Sequence, residues 1–277
     1  MTGAIREEAP AKVNLVLHVG PRGPSGLHEL CSLFASLELH DVVTVEPADA
    51  DEVVCEGVEG PNLAAAAVEA YRSEVEVPPL RIGIEKRIPV AAGLGGGSAD
   101  AAAVLRAANR LAGGALDDDA LRTLATRIGS DVPSQVRPGH ALVSGTGDAV
   151  EPVALPPMSL LLVPTDAGLP TRDVYAEADR IGATREHLDP ARLRDLAARP
   201  LEAIAGALEN DLQPAALSLR PELARTLDDL RAAGALGALV SGSGPTTFGV
   251  FADPEAAERA AASFERGTAT RLRDAAG

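Results

Sequence analysis

The segment that decides the fold is Pro89-Val-Ala-Ala-Gly93-Leu-Gly95-Gly96-Gly97-Ser98-Ala-Asp100, which precedes a predicted helix running from Ser98 to about Ala112. Glycine lacks a Cβ atom, so the backbone can turn tightly here and approach a ligand closely. The first N–H groups of a helix and its dipole both favour an anion. A simple turn does not need four glycines, which cost conformational entropy. The segment therefore predicts a phosphate-binding loop.

The type of phosphate loop can be narrowed by its spacing. A Walker A loop requires a lysine after its last glycine, and none follows here. The dinucleotide pattern is matched as Gly93-x-Gly95-x-x-Ser98. That pattern expects an uninterrupted strand before it and an acidic residue ending a strand about 20 residues later. Pro89 interrupts the strand, and Asp117 is predicted to open a helix. A Rossmann dehydrogenase therefore stays the less favoured alternative.

The surrounding elements mix without a regular strand–helix alternation, which favours an α+β fold over a doubly wound sheet. Proline-rich residues 151–158 suggest a boundary between domains at 1–152 and 153–277. Strands are predicted at 11–19, 41–47, 80–90, 159–164, 237–241 and 246–251. Helices are predicted at 62–72 (with Asn62 as N-cap), 98–112, 117–128, 171–181, 190–207, 221–233 and 253–264.

Two charged residues flank the loop along the chain. Lys12 lies inside an apolar strand, where it must either reach solvent or meet an anion. Asp131 lies in Gly129-Ser-Asp-Val-Pro133, where it is either a turn residue or a carboxylate that deprotonates an alcohol. Lys12 and Lys86 are the only lysines among 25 basic residues. Taken with the loop, Lys12 and Asp131 predict a phosphotransferase.

Composition excludes several classes of protein. The chain has 277 residues and a formal net charge of −15, which argues against binding to nucleic acid or to an anionic membrane. The charge also fits salt adaptation, an alternative that the sequence leaves open. No apolar run is long enough to span a bilayer, and the first residues lack the pattern of a secretory signal. Two cysteines provide neither a metal site nor a disulfide framework, so a cytoplasmic location is expected.

Three segments resemble the motifs of the GHMP small-molecule kinases, and the resemblance covers nearly the whole chain. They are PAKVNL at 10–15, PVAAGLGGGSADAA at 89–102 and SGSGPTTFGVF at 241–251. The resemblance implies an ATP- and Mg²⁺-dependent kinase with an N-terminal domain like domain 2 of ribosomal protein S5 and a ferredoxin-like C-terminal domain. The GLHEL segment at 26–30 and GSDVP at 129–133 are similar to the members that phosphorylate a cytidine diphosphate conjugate in the non-mevalonate isoprenoid pathway.

The resemblance also implies roles for individual residues. Lys12 and Asp131 match the catalytic pair, and Asn14, His28 and Tyr175 match substrate-binding positions. The third motif comprises Ser241, Gly242, Ser243 and Gly244. The ATP-binding loop comprises Pro89, Val90, Ala91, Ala92, Gly93, Leu94, Gly95, Gly96, Gly97, Ser98 and Ala99, with Ser98 also a candidate magnesium ligand.

The sequence departs from the family pattern at two positions that concern the substrate. Leu27 stands where a tyrosine is usual, and Ser134-Gln135 replaces a familiar aromatic residue. Losing one stacking face weakens base binding by roughly 1–3 kcal/mol. Two alternatives therefore stay open: a GHMP kinase for another alcohol, such as homoserine or a mevalonate derivative, and a nucleotide-binding GHMP protein without catalysis. The sequence leaves the oligomeric state open.

Overall fold

The computed structural model describes residues 3–24, 26–58, 62–165 and 168–274. Its elements, in chain order, are β1 (Ile5–Arg22), β2 (His28–Pro47), β3 (Glu52–Cys55), α1 (Leu63–Arg72), β4 (Leu80–Glu85), α2 (Gly96–Leu111), α3 (Asp118–Thr126), α4 (Val132–Gln135), β5 (Ala141–Gly145), β6 (Ala149–Pro152), β7 (Ser159–Val163), α5 (Thr171–Ile181), α6 (Pro190–Ala197), α7 (Leu201–Gly206), β8 (Glu209–Asn210), α8 (Gln213–Leu219), α9 (Glu222–Ala232), β9 (Gly237–Val240), β10 (Thr247–Phe251), α10 (Pro254–Ala261) and β11 (Thr268–Arg271). Among the described residues, no helix combines the length and the apolar composition that crossing a bilayer requires.

One compact unit, unit 1, contains the chain up to Ala11 together with Leu39–Val90 and Gly95–Pro138. In this unit β4 pairs antiparallel with the second half of β2 and parallel with β3. The buried alanines of α2 have no side chain beyond Cβ, so α1 packs closely against this helix. Tyr71 is fully buried in the core, and its hydroxyl donates to Asn109 Oδ1 over 2.9 Å. The unit is a sheet covered by helices.

The other unit, unit 2, contains Lys12–Glu38, Ala91–Leu94 and the chain from Gly139 onward. Its four-stranded antiparallel sheet has the order β11-β7-β10-β9, packed against α9 and α10. In the chain order of those strands this is 4-1-3-2, the order of a ferredoxin-like sheet. In the same unit β8 runs parallel to β1 and β5 pairs with the first half of β2. Both units mix strands with helices, so the predicted α+β class is confirmed.

Several predicted elements are confirmed closely. Helix α1 begins after Asn62, whose side chain accepts from the Ala64 N–H as expected of an N-cap. The strand predicted at 159–164 is β7, and the helix predicted at 171–181 is α5. The domain boundary predicted between residues 152 and 153 stays a prediction, because unit 1 and unit 2 are each built from discontinuous segments of the chain.

Other predictions need correction. The helix predicted at 190–207 is two helices, α6 and α7, because Pro200 precedes Leu201 and cannot continue the first helix. The strand predicted at 80–90 ends at Glu85. It ends there because the N–H groups of Arg87 and Ile88 donate to the Asp41 carboxylate instead of to a neighbouring strand. The strands predicted at 11–19 and 41–47 are parts of the much longer β1 and β2.

Candidate active site

Lys12 is buried on β1 with only 4% of its surface exposed. Its Nζ donates to Asn14 Oδ1 over 2.8 Å and lies 4.7 Å from the centre of the Phe34 ring. The Asn14 amide in turn donates to Ser32 Oγ, and that hydroxyl donates to the Val16 carbonyl. The sequence left open whether Lys12 is a solvated edge residue, and its burial excludes that interpretation. Asn14 holds the ammonium group in one orientation.

The first half of the glycine loop, Ala91–Leu94, is joined to Lys12 and to the third motif. The Lys12 N–H donates to the Leu94 carbonyl over 2.9 Å. Ser241 Oγ donates to the Gly93 carbonyl, and the Thr246 N–H donates to the Ala92 carbonyl over 3.3 Å. The loop therefore has fixed partners on both sides within unit 2.

Gly93 shows why the loop needs glycine at this position. Its φ is +74°, and a Cβ built on it would lie 2.6 Å from the Ser241 carbonyl oxygen and 2.7 Å from the Gly244 carbonyl oxygen. A side chain would collide with backbone atoms that cannot yield cheaply. Gly93 therefore allows the loop to lie close to the third motif, and the predicted close approach of the loop to a phosphate stays a prediction.

The third motif is a tight turn with two glycines at positive φ, Gly242 and Gly244. The Gly244 N–H donates back to the Ser241 carbonyl over 2.8 Å. A Cβ at Gly242 would lie 3.3 Å from Asn14 Oδ1 and 3.7 Å from Lys12 Nζ. Ser243 Oγ lies 3.0 Å from Thr171 Oγ1, in the first turn of α5. Unit 2 thus brings Lys12, the first half of the loop and the third motif into contact.

The second half of the loop starts helix α2 two residues earlier than predicted. Gly95 is left-handed, with φ of 72°, and serves as the N-cap, so Gly96 and Gly97 are already helical and Ser98 is the third residue of the helix. A Cβ at Gly96 would lie 3.1 Å from Ile88 Cγ2 and 3.3 Å from Lys86 Nζ. A side chain at Gly96 would therefore require Ile88 and Lys86 to shift by a few tenths of an ångström, whereas Gly93 and Gly95 have the positive φ that favours glycine.

Asp131 lies directly before the four-residue helix α4 and is partly exposed in unit 1. Its backbone carbonyl accepts a 2.7 Å hydrogen bond from Ser134 Oγ. Its carboxylate makes no capping hydrogen bond to α4, so capping does not explain why an aspartate stands here. The function of Asp131 as a base stays a prediction.

His28 and Tyr175 lie side by side in unit 2, with ring centres 5.3 Å apart and planes tilted by 33°. His28 Nδ1 lies 2.9 Å from the Gly20 carbonyl, which only accepts, so this nitrogen carries the hydrogen. His28 Nε2 lies 3.3 Å from Asp179 Oδ1. A nucleobase that hydrogen-bonds to His28 Nε2 must therefore compete with the Asp179 carboxylate for that nitrogen. The neighbouring Leu27 is 57% exposed.

Sequence reasoning missed a buried ion cluster beside the loop, which we call the Asp41–Lys86–Asp100 triad. Lys86 Nζ donates to the Asp41 carboxylate and to Asp100 Oδ2, the latter over 2.8 Å. Burial raises the pKa of Asp100 to about 7, although Lys86 lowers it, and Asp41 adds to the rise. Burial alone would lower the pKa of Lys86, but its two carboxylate partners outweigh burial and raise it. The scarcity of lysine was the one signal in the sequence that pointed here.

The residues that could hold magnesium are few. Within the described ranges, no group of three or more His, Cys, Asp or Glu side chains converges on a metal-sized space. Mg²⁺ usually keeps several waters and binds through substrate phosphates plus one or two protein oxygens. Ser98, in the first turn of α2, is a candidate oxygen donor for such a magnesium ion, and this role stays a prediction.

Comparisons with known proteins identify the family of this chain. Residues 62–139 match the family model of the GHMP kinases N terminal domain, and residues 193–268 match that of the GHMP kinases C terminal domain. The 4-diphosphocytidyl-2-C-methyl-D-erythritol kinase of Salinispora arenicola is 42% identical, over 94% of this chain and 88% of its own.

Solved structures of GHMP kinases are also similar to this chain. A crystal structure of a 4-(cytidine 5'-diphospho)-2C-methyl-D-erythritol kinase has a TM-score of 0.82 at 36% identity, covering 98% of this chain and 100% of its own. A homoserine kinase from Cytophaga hutchinsonii has a TM-score of 0.76 at 18% identity, covering 99% and 95% of the two chains, and shares the fold alone. Both family models match, and the Salinispora arenicola kinase is 42% identical over 88% of its own length. The chain therefore belongs to the GHMP kinases, in the family of the 4-diphosphocytidyl-2-C-methyl-D-erythritol kinases.

Proposed function

We propose that this enzyme transfers the γ-phosphoryl group of ATP to a hydroxyl of 4-diphosphocytidyl-2-C-methyl-D-erythritol, giving the 2-phosphate, a step in making isoprenoid precursors. The relatives that are similar over nearly the whole chain carry the name of this kinase. The observation that carries the chemistry is the position of Lys12, buried and hydrogen-bonded through its backbone to the glycine loop. Kinases of other small alcohols share the fold at low identity, which does not favour them.

In the mechanism that we propose, the side chains position and deprotonate the alcohol. The hydroxyl oxygen bonds to the γ-phosphorus while the bond to the bridging oxygen of ADP breaks, and Asp131 takes the hydroxyl proton. Lys12, held by Asn14, places a positive charge beside the reacting hydroxyl and phosphoryl oxygens. The amides of residues 91–98 bind the phosphates, and Ser241 and Thr246 hold that loop in place. Magnesium, when bound with ATP, neutralises charge on the β- and γ-phosphates.

Recognition of the cytidine group is assigned to Tyr175 and His28. Tyr175 offers its ring to the cytosine, and His28 lies beside that ring. Asn14, which orients Lys12, also matches a substrate-binding position. The proposal further places the enzyme in the cytoplasm, where the free thiols of Cys31 and Cys55 would stay reduced.

The direct test is an assay of ADP release with purified protein, ATP and magnesium. Candidate acceptors are the cytidine conjugate, homoserine and mevalonate. We expect turnover with the cytidine conjugate and at most background with the other two. Turnover with homoserine or mevalonate alone would contradict the proposed substrate but keep the kinase chemistry. Nucleotide binding without any turnover would favour a protein that only binds nucleotide.

A further inference from the structure

The two ends of the glycine loop are joined by buried ionic contacts in unit 1. At the end where the chain enters the loop, Asp41 Oδ1 accepts from the backbone N–H groups of Arg87, over 2.6 Å, and Ile88, over 2.8 Å. Asp41 is fully buried, so these bonds are shielded from water. The segment directly before Pro89 is therefore fixed to β2.

At the other end, Asp100 is the fifth residue of α2 and is 3% exposed. Lys86 Nζ donates to Asp100 Oδ2 and also to Asp41. The same Nζ lies 3.3 Å from the point where a Cβ on Gly96 would be. Lys86 thus connects the strand side of the loop to the first turns of the helix that follows it.

Stability alone does not explain such a cluster. Removing two carboxylates and an ammonium group from water costs several kcal/mol per ion, and apolar residues of similar volume often stabilise a core equally well. Asp100 Oδ1 is buried without a hydrogen-bond partner among the described residues, which adds to this cost. The lysine itself is one of two in the chain, although arginine provides nearly all other positive charge. A compact ammonium group can serve two carboxylates in a space that a planar guanidinium does not fit.

We propose that the Asp41–Lys86–Asp100 triad is a positioning device that sets the distance between the two ends of the phosphate-binding loop. The inference rests on the proposed function, since it assigns residues 91–98 to the phosphates of ATP. The triad acts on the nucleotide through the loop backbone, so its residues are positioning residues. Because the loop amides must converge on the phosphates, a displaced end weakens nucleotide binding even in a folded protein.

The test uses Lys86→Met, which keeps the apolar length of the side chain, and Asp100→Ala, which keeps the Lys86–Asp41 pair. We expect either change to raise the KM for ATP by about tenfold or more, with a much smaller change in the KM for the cytidine conjugate. Asp100→Asn keeps an acceptor oxygen for Lys86, so its KM for ATP should stay within about twofold of wild type. Hydrogen exchange of the amides at residues 91–98, in protein without nucleotide, should be faster in the first two variants.

A second comparison separates positioning from stability. Lys86→Met combined with Asp100→Leu and Asp41→Asn removes all three charges and keeps an acceptor oxygen at position 41 for the two backbone N–H groups. The melting temperature of this triple variant should therefore recover while its KM for ATP stays raised. The matched control is Arg106→Met, which breaks another buried ion pair of the same helix, with Glu7. It should lower the melting temperature and leave the KM for ATP and the exchange of residues 91–98 unchanged.

The outcomes decide between the two proposals. If the triple variant recovers both stability and the KM for ATP, or if Arg106→Met raises that KM equally, the triad only fills space. If wild type is active and the triad variants keep its KM and exchange rates, the positioning role is wrong. If wild type does not phosphorylate the conjugate, the proposed function fails, and the exchange rates still test the triad.

Discussion

At the scale of single residues, Lys12 and Asp131 carry the chemical proposal. Lys12 is buried beside Asn14, and Asp131 makes no capping hydrogen bond to α4. We expect Lys12→Met and Asp131→Asn each to lower kcat by roughly 10²–10⁴-fold with the fold intact, since a lost base or charge has effects of this size. Steady-state rates with the cytidine conjugate, alongside circular dichroism, check this.

The control for Asp131→Asn is Asp119→Asn, because Asp119 is an exposed carboxylate, 91% accessible, in the same unit. That change should leave kcat near wild type. If Asp131→Asn also keeps the wild-type kcat, Asp131 is a turn residue and the assigned base is wrong.

Leu27 tests whether the departure from the family pattern changes the substrate or only its affinity. The exposed leucine lies next to His28, whose ring lies beside Tyr175. An aromatic ring at position 27 would supply a second stacking face for cytosine. We expect Leu27→Tyr to lower the KM for the cytidine conjugate about fivefold, or about 1 kcal/mol. The measurement is KM at saturating ATP.

An exposed leucine elsewhere in unit 2, Leu219, provides the matched control, and Leu219→Tyr should leave this KM unchanged. His28→Ala should raise KM more than Leu27→Tyr lowers it, because it leaves polar groups of the base without partners. If the wild type and Leu27→Tyr are both inactive on the conjugate, the true acceptor is another alcohol.

Asp100 makes a prediction about pH. Its pKa in the folded protein is about 7 against 3.8 for the ordinary group, so the folded state binds this proton more tightly than the unfolded chain. Stability from this group is present below the unfolded value and is lost as pH rises from 3.8 to about 7. The groups that face Asp100 are Lys86, Asp41 and the thiol of Cys55. Burial raises the pKa of this thiol further above neutrality.

An asparagine at position 100 has no carboxyl proton and does not titrate in this pH range. We therefore expect the melting temperature of Asp100→Asn, relative to wild type, to increase between about pH 4 and pH 7 and then to stay level. Thermal unfolding across that range, with Asp119→Asn as the control, measures the difference. A constant difference between about pH 4 and pH 7 would mean that Asp100 is ionised in the folded protein over this whole range.

At the scale of elements, the loop and the third motif form one arrangement that a single Cβ would disturb. We expect Gly93→Ala to raise the KM for ATP by about tenfold or more, because positive φ and contacts under 3 Å with two carbonyl oxygens force the loop to move. Isothermal titration with a nonhydrolysable ATP analogue checks this. Gly206→Ala is the control, since a Cβ there meets nothing within 4 Å and should leave nucleotide binding unchanged.

The elements also show what the sequence could and could not predict. Local signals located α1, α5 and β7 well, because capping residues and apolar periodicity act over a few neighbours. They failed at the end of β4, where a carboxylate 46 residues earlier in the chain takes the N–H of Arg87. They also failed for the short strands β3, β8 and β11, which depend on a partner strand supplied by distant sequence.

The candidate site follows the same rule. Family motifs led to Lys12, the loop and the third motif, and unit 2 brings Lys12, the first half of the loop and the third motif into contact. The partners of His28 and the triad around Lys86 could not be predicted, because each joins residues from separate elements.

At the scale of the whole molecule, the charge of −15 opposes both anionic substrates. Long-range repulsion acts over a screening length of about 30 Å at 0.01 M salt but only about 8 Å at 0.15 M. We therefore expect kcat/KM for ATP to rise about two- to threefold between these two ionic strengths, at constant concentration of the magnesium–ATP complex. The value of kcat at saturation should change little, because it does not include the encounter.

The opposite result has a definite meaning. A fall in kcat/KM with salt would show that the positive groups nearest the phosphates, Lys12 and the loop amides, dominate the encounter in spite of the net charge. Lys12→Met distinguishes the two cases, because it removes local charge and leaves the acidic surface in place. If surface repulsion dominates, the residual kcat/KM of this variant should rise with salt at least as steeply as that of wild type. If local attraction dominates, the fall with salt should become shallower in the variant.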